Sequence, residues 1–199
     1  MAALDQAGEA QRRLVQALRD PACYPHPVAG ISMLETHISF IVLTGTFAYK
    51  IKKPVDFGFL DFTTLEKRRF FCQEELRLNA RLAPQIYLQV VPIGGTREAP
   101  RVGDDAAAIE YAVKMLEFPQ EALADRVLAR GGLTSRHMDA LAALVAQFHS
   151  RAACSRESDR YGTPQAVLAA AAQNFSQGLE AQVATTALDK DERAHSWPQ

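Results

Sequence analysis

Ala48 and Lys50, two positions apart in Phe47-Ala48-Tyr49-Lys50-Ile51-Lys52-Lys53, are the side chains whose types and spacing could do chemistry. Successive side chains of an extended strand alternate faces, so these two point the same way. A small residue leaves room for a flat base, and a lysine beside it can reach phosphate. A lysine used in this way needs a carboxylate to hold its flexible stem in one rotamer. The stretch Cys72-Gln73-Glu74-Glu75-Leu76 supplies two candidates on a helix expected to pack behind the strand. Glu75, three and seven residues before Leu78 and Leu82, lies along the edge of the expected buried stripe and is the preferred partner, with Glu74 the alternative.

The elements that must position these residues follow from pattern. Leu4 to Asp20 carries Leu14, Ala17 and Leu18 on one face and ends before Pro21, which predicts a helix stopped by proline. From Ile31 to Lys53 branched and aromatic residues dominate, and Thr44-Gly45-Thr46 separates two runs as a hairpin turn would. The aromatic loop Val55 to Phe62 is expected to pack down. Thr63 and Glu66 form a capping-box pattern for a helix over 64–82, with Leu65, Phe71, Leu78 and Leu82 among its apolar positions. Ile86 to Gly95 and Ala106 to Leu116 read as two strands around an exposed turn. After Phe118 the pattern predicts helices: 120–130 closed by Gly131-Gly132, then Thr134 to about Ala153, then Thr163-Pro164 to about Thr186. The resulting organisation is a helix and loop over 1–30, a sheet region over 31–118, a helical region over 119–186 and a polar tail over 187–199.

Composition narrows the class. A chain of 199 residues can bury a core without metal or disulfide staples. Its formal net charge of -1 gives no overall attraction to nucleic acid or to an acidic membrane. Cys23, Cys72 and Cys154 lie far apart, as reduced buried thiols would. No run approaches the roughly 20 apolar residues of a membrane span, and no signal-peptide order is present, so a cytoplasmic protein is expected.

Phe47-Ala48-Tyr49-Lys50 resembles the V-A-I-K strand of the protein-kinase-like fold. The longer string from Glu35 to Pro84 resembles the N-terminal part of bacterial aminoglycoside phosphotransferase-like proteins, some of which carry a following P-loop kinase domain. The resemblance runs from about residue 10 to at least residue 153. It implies an α+β, protein-kinase-like fold: a small antiparallel sheet with one packed helix, then an incomplete helical lobe. It implies an ATP cleft, with Lys50 on the phosphates, Glu75 as its ion-pair partner and Ala48 beside the base. Glu110 to Phe118, with Met115 and Glu117, would run into the hinge that meets adenine.

The same resemblance makes an absence informative. Phosphotransferases of this kind orient the acceptor and hold metal through a pattern such as H-G-D-x-x-x-x-N, and none occurs here, nor does a G-x-x-x-x-G-K-[ST] loop. The sequence therefore reads as the ATP-binding portion of a small-molecule phosphotransferase, truncated and with little or no transfer on its own, magnesium being expected only with the missing lobe. The rival reading is a pseudokinase-like module that binds a protein partner covering the incomplete lobe. Plainer readings stand beside these: Lys50, Lys52 and Lys53 as the solvated face of an edge strand, Glu75 as an exposed carboxylate pairing with Arg69 or Arg81, His37 and His149 as structural, Glu66 to Phe71 as an exposed basic face over core aromatics, and Leu141, Leu144, Val145 and Phe148 as core.

Overall fold

Alanine, glutamine and arginine with few β-branched residues give α1, Ala2–Ala17, which ends in a turn over Leu18 and Arg19 ahead of the Asp20-Pro21 junction. Asp20 accepts a hydrogen bond from the Ala22 N–H and starts a 3-10 turn at Pro21–Cys23. The computed structural model describes residues 2–152 and 163–176. Their contacts divide the chain into two units, Met1–His137 and Met138–Gln199.

The first unit is built on one antiparallel sheet. Its strands are β1 (Ser32–Glu35), β2 (Ser39–Leu43), β3 (Phe47–Lys52), β4 (Tyr87–Gly95), β5 (Pro100–Val102) and β6 (Glu110–Leu116), in the order β1-β2-β3-β6-β4-β5. The expected hairpin forms at Thr44-Gly45-Thr46. Gly45 has φ of 85°, and a Cβ there would press on Ala29 at 3.3 Å, so the turn needs glycine twice over. Two short strands escaped the sequence pattern. β1 continues the Ile31 to Lys53 run as a separate strand, and β5 lies inside the segment expected to be an exposed turn, with Pro100 and Val102 buried.

Strand alternation sorts the core into two layers. On one face Leu14 and Val15 of α1, with Leu18 just after it, pack against Phe40, Val42, Tyr49, Ile51, Val91 and Ile93. On the other, Leu43, Ala48, Val113 and Met115 pack with Cys72 of α2, Leu65–Asn79. Burying each large apolar side chain contributes about 1.5–3 kcal/mol, so the sheet is held from both sides.

The start of α2 differs from the expected capping box. Thr64 is the N-cap and accepts from the Lys67 N–H, while Thr63 donates to Asp61. Asp61 therefore competes for Thr63 and moves the cap on by one residue. The loop between β3 and α2 does not pack down as a whole: Phe62 is buried and stacks edge-on against Phe71, but Phe57 and Phe59 are exposed and stack on each other. Gly58 turns this loop with φ of 77°.

Beyond β6 come a 3-10 turn at Gln120–Ala122 and α3, Ala124–Ala129, closed by Gly131. α4 spans Ser135–Arg151, and residues 164–176 are helical, with Thr163 Oγ1 accepting from the Ala166 N–H. In α4, Leu141, Leu144 and Val145 are exposed and Phe148 is half-buried, so these residues are not a core. The expected continuation of the last helix to Thr186, the tail over 187–199 and Cys154 lie outside the described residues. Cys23 and Cys72 are free, buried thiols. Among the described residues no helix is long and apolar enough to cross a membrane.

Candidate functional site

β3 lies inside the sheet, between β2 and β6, which rules out the edge-strand account of its lysines. Register puts Ile41, Lys50 and Val113 side by side, and likewise Leu43, Ala48 and Met115, all on the face that α2 covers. Lys52 shares this face because it is two residues beyond Lys50.

The helix answers with one carboxylate. Glu75 accepts from Lys50 Nζ through Oε1 at 2.8 Å and from Lys52 Nζ through Oε2 at 2.7 Å. Glu74 faces away and takes Arg77 in a two-pronged pair at 2.9 and 2.7 Å. Glu75 is therefore the lysine partner, although for a different reason from the expected stripe. Leu78 and Leu82 are exposed, and the helix meets the sheet along Arg68, Cys72 and Glu75, a spacing of four and three that keeps one face.

Burial grades across the cluster: the side chains of Lys50, Glu75 and Lys52 are 25%, 11% and 6% exposed. Burial alone would raise the Glu75 pKa, but the hydrogen bonds from Lys50 and Lys52 outweigh it and hold the carboxyl below its ordinary range. Lys52 Nζ also lies 4.8 Å from the centre of the Phe62 ring. Directly opposite Lys52 on β2, Ser39 is fully buried with its hydroxyl unpartnered among the described residues. Tyr87 stands near enough for Glu75 to add to the rise that burial gives its phenol.

The positions expected around a base are placed differently from one another. Ala48 and Met115 sit together but are 5% and 9% exposed, packed among Leu43, Val113, Ile86 and Tyr87. Glu117 turns its carboxylate back to the hairpin, accepting from the Gly45 N–H at 2.7 Å, while its own N–H donates to the Thr46 carbonyl. The site accordingly has an open cationic end at Lys50 and a filled apolar end at Ala48 and Met115.

Lys52 is the site residue that reading by residue type missed. Its signal was the same alternation that paired Ala48 with Lys50. A second group was also missed: Arg68 donates to Glu110, which also accepts from Gln11. The basic cluster Lys67-Arg68-Arg69 is not one exposed face, since Lys67 pairs with Asp61, Arg68 is buried and Arg69 lies over the Tyr111 ring. Phe70 of that cluster is exposed instead of core. His37 and His149 are exposed, and among the described residues no three His, Cys, Asp or Glu side chains converge as metal ligands would.

Cavities of about 460 Å³, beside Arg12, Phe40, Lys53 and Phe57, and about 650 Å³, beside Gln16, Asp20, Thr96 and Arg101, lie elsewhere; neither is lined by Lys50 or Glu75.

The chain is similar to an uncharacterized protein of Mycobacterium bovis and to one of Mycobacterium tuberculosis, each 35% identical over 155 residues. The match covers 74% of this chain and 29% of each relative, so the chain spans less than a third of the length of the curated relatives it matches. No family model matches the chain, and no solved structure does.

Proposed function

We propose that the chain is the ATP-binding portion of a small-molecule phosphotransferase of protein-kinase-like fold, with Lys50 as the residue that holds phosphate. The observation that carries this reading is the Lys50 to Glu75 ion pair, joining the third strand of the sheet to the helix that follows it. In protein kinases a lysine on the third strand binds the α/β-phosphates while a helix glutamate holds it. Lys50 keeps a quarter of its side chain in solvent and can reach an anion. The fit is to polyphosphate more than to a base, because the surface of Ala48 is already covered by neighbouring side chains.

Bound ATP would supply the phosphoryl group. This chain's residues would hold and orient it, with Lys50 neutralising phosphate charge and Glu75 fixing the Lys50 stem. Magnesium would arrive with the nucleotide, and the sequence offers no H-G-D-x-x-x-x-N pattern to receive it. The expected outcome for the chain alone is nucleotide binding with little or no transfer, since positioning and charge stabilisation supply nearly all of this catalysis.

The test is thermal unfolding with and without Mg-ATP, in the wild type and in Lys50→Ala, because a ligand that binds only the native state raises its stability by mass action. A stabilisation present in the wild type and lost in Lys50→Ala supports the reading. No stabilisation of a cooperatively folding chain sinks it.

A second reading is favoured by one specific observation. Met138, Leu141, Leu144 and Val145 of α4 are exposed at helical spacing, as on a helix that meets a protein partner. In that reading the chain is a non-catalytic, pseudokinase-like module. Sedimentation of the wild type against Leu141→Glu/Leu144→Glu tests self-association as one form of it: a shift to smaller species in the variant supports the reading, and a monomeric wild type removes that form.

A further inference from the structure

We infer that Lys52 is the buried, standing counter-ion of Glu75 alongside Lys50, and that it keeps the carboxylate neutralised when Lys50 engages phosphate. The phosphate half of this inference rests on the function proposed above; the pairing half does not.

The geometry gives each lysine its own oxygen of Glu75, at 2.8 Å for Lys50 and 2.7 Å for Lys52. The two pairs are close to equal in length and unequal in surroundings. Lys52 is 6% exposed at its side chain, lies against the Phe62 ring and stands opposite the buried Ser39 of β2, so its ammonium has lost nearly all access to water. An ammonium in that position is strongly tied to a carboxylate, because the alternative is an unpaired buried charge. Lys50 has a water-facing alternative.

The charges then sort themselves. Two lysines and one carboxylate carry a net charge of one positive unit. Lys52 and Glu75 form a neutral buried unit, and Lys50 is the surplus cation. If Glu75 had Lys50 as its one partner, moving that lysine to a phosphate would leave a bare carboxylate in a dry site beside an arriving polyanion, with repulsion added to desolvation. Lys52 removes that obstacle while keeping Glu75 ionised and in place. Lys52 is in this sense a positioning residue, acting through Glu75 without touching the ligand.

The experiment compares the wild type, Lys50→Met, Lys52→Met and Lys52→Met/Glu75→Gln, first by thermal unfolding without ligand, then by titration with Mg-ATP and with tripolyphosphate. Without ligand, Lys52→Met is expected to lower the melting temperature by about 6 °C or more, Lys50→Met by less than about 3 °C. Replacing Glu75 by glutamine in the Lys52→Met background should return at least half of the loss, since no charge is then left bare. With ligand, Lys52→Met is expected to bind tripolyphosphate about tenfold or more weakly, a factor equivalent to about 1.4 kcal/mol, and the double variant should regain part of that affinity. Lys50→Met costing as much stability as Lys52→Met, or Lys52→Met binding tripolyphosphate as the wild type does, overturns the inference. If Lys52→Met does not fold, folding of the double variant supports the inference and its failure to fold overturns it. The two proposals separate cleanly. The expected stability ranking in a wild type that binds neither ligand removes the phosphate reading and leaves the Lys52 to Glu75 pairing, whereas ligand binding through Lys50 with the ranking reversed does the opposite.

Discussion

Arg68 of α2 donates through Nε to both carboxylate oxygens of Glu110 on β6, at 2.9 and 3.0 Å, and Glu110 is 2% exposed. The pair does more than neutralise two charges. Gln11 of α1 donates to the same carboxylate and to the Lys52 carbonyl, and Arg68 Nη1 donates to the Phe62 carbonyl. The buried Glu110 carboxylate thus joins α1 and α2 to the sheet, and its partner Arg68 holds the loop that leads into α2.

Removing one member of such a pair leaves the other charged and dry. Arg68→Met is expected to cost about 3–5 kcal/mol in urea unfolding, whereas Arg68→Met/Glu110→Met should recover most of that loss because no bare charge remains. Additive losses in the double variant would show that the two residues contribute independently.

How far the sequence foretold the site depends on what each inference used. Strand alternation placed Lys50 on the face that the following helix covers, but the choice of Glu75 over Glu74 leaned on a Leu78 and Leu82 stripe that is exposed, and the helix in fact meets the sheet along Arg68, Cys72 and Glu75. Arg68 and Glu110 were beyond reach: they are 42 positions apart, and arginine and glutamate by type belong on the surface. Lys52 was misjudged in the same way, by its type and against its parity. Phe57 and Phe59 show the converse, since aromatic character predicts burial but both rings stay exposed and stack on each other. β5 was missed because Pro100-Arg101-Val102 is too short for a period to show.

The filled apolar end of the site separates phosphate recognition from base recognition. With Ala48 and Met115 covered, most of the binding energy should come from Lys50 and the phosphates. Tripolyphosphate is therefore expected to bind within about threefold of ATP by isothermal titration, and Lys50→Ala to lower both affinities about tenfold or more, the effect of a lost charge-assisted hydrogen bond. A strong preference for ATP would mean that the Ala48 surface opens for the base.

Acid should weaken the fold through Glu75. Its carboxyl titrates below its ordinary range in the folded chain, since the bonds from Lys50 and Lys52 outweigh burial. A group depressed on folding contributes stability that is fully present above the unfolded value, about 4.3 for glutamate, and is lost as pH falls through the folded value. Urea midpoints of the wild type are expected to be flat from about pH 7 to 5 with respect to this group and to fall below about pH 4. Glu75→Gln should have a lower midpoint at neutral pH and a shallower fall. An acid limb of equal steepness in the variant would assign the acid loss to other carboxylates.

Cys72 reports on the same region without altering it. It is fully buried under the sheet, and burial pushes its thiol up to about 12, with Lys52 opposing the rise and Glu75 and Glu110 adding to it. At pH 8 roughly one thiol in ten thousand would then be ionised even if reagent could enter, so alkylation must wait for the sheet and α2 to separate. Peptide mapping after iodoacetamide treatment is expected to find Cys72 unmodified in the native chain and modified in denaturant. Where reclosing outruns reaction, the rate follows the population of the open form. Arg68→Met should therefore speed the modification about a hundredfold, the kinetic equivalent of roughly 3 kcal/mol, and Lys50→Ala should change it by less than about fivefold, as befits a partly exposed pair. Equal acceleration by both variants would place Lys50 among the groups that hold α2 to the sheet, and the separation between a structural Lys52 and an available Lys50 would no longer stand.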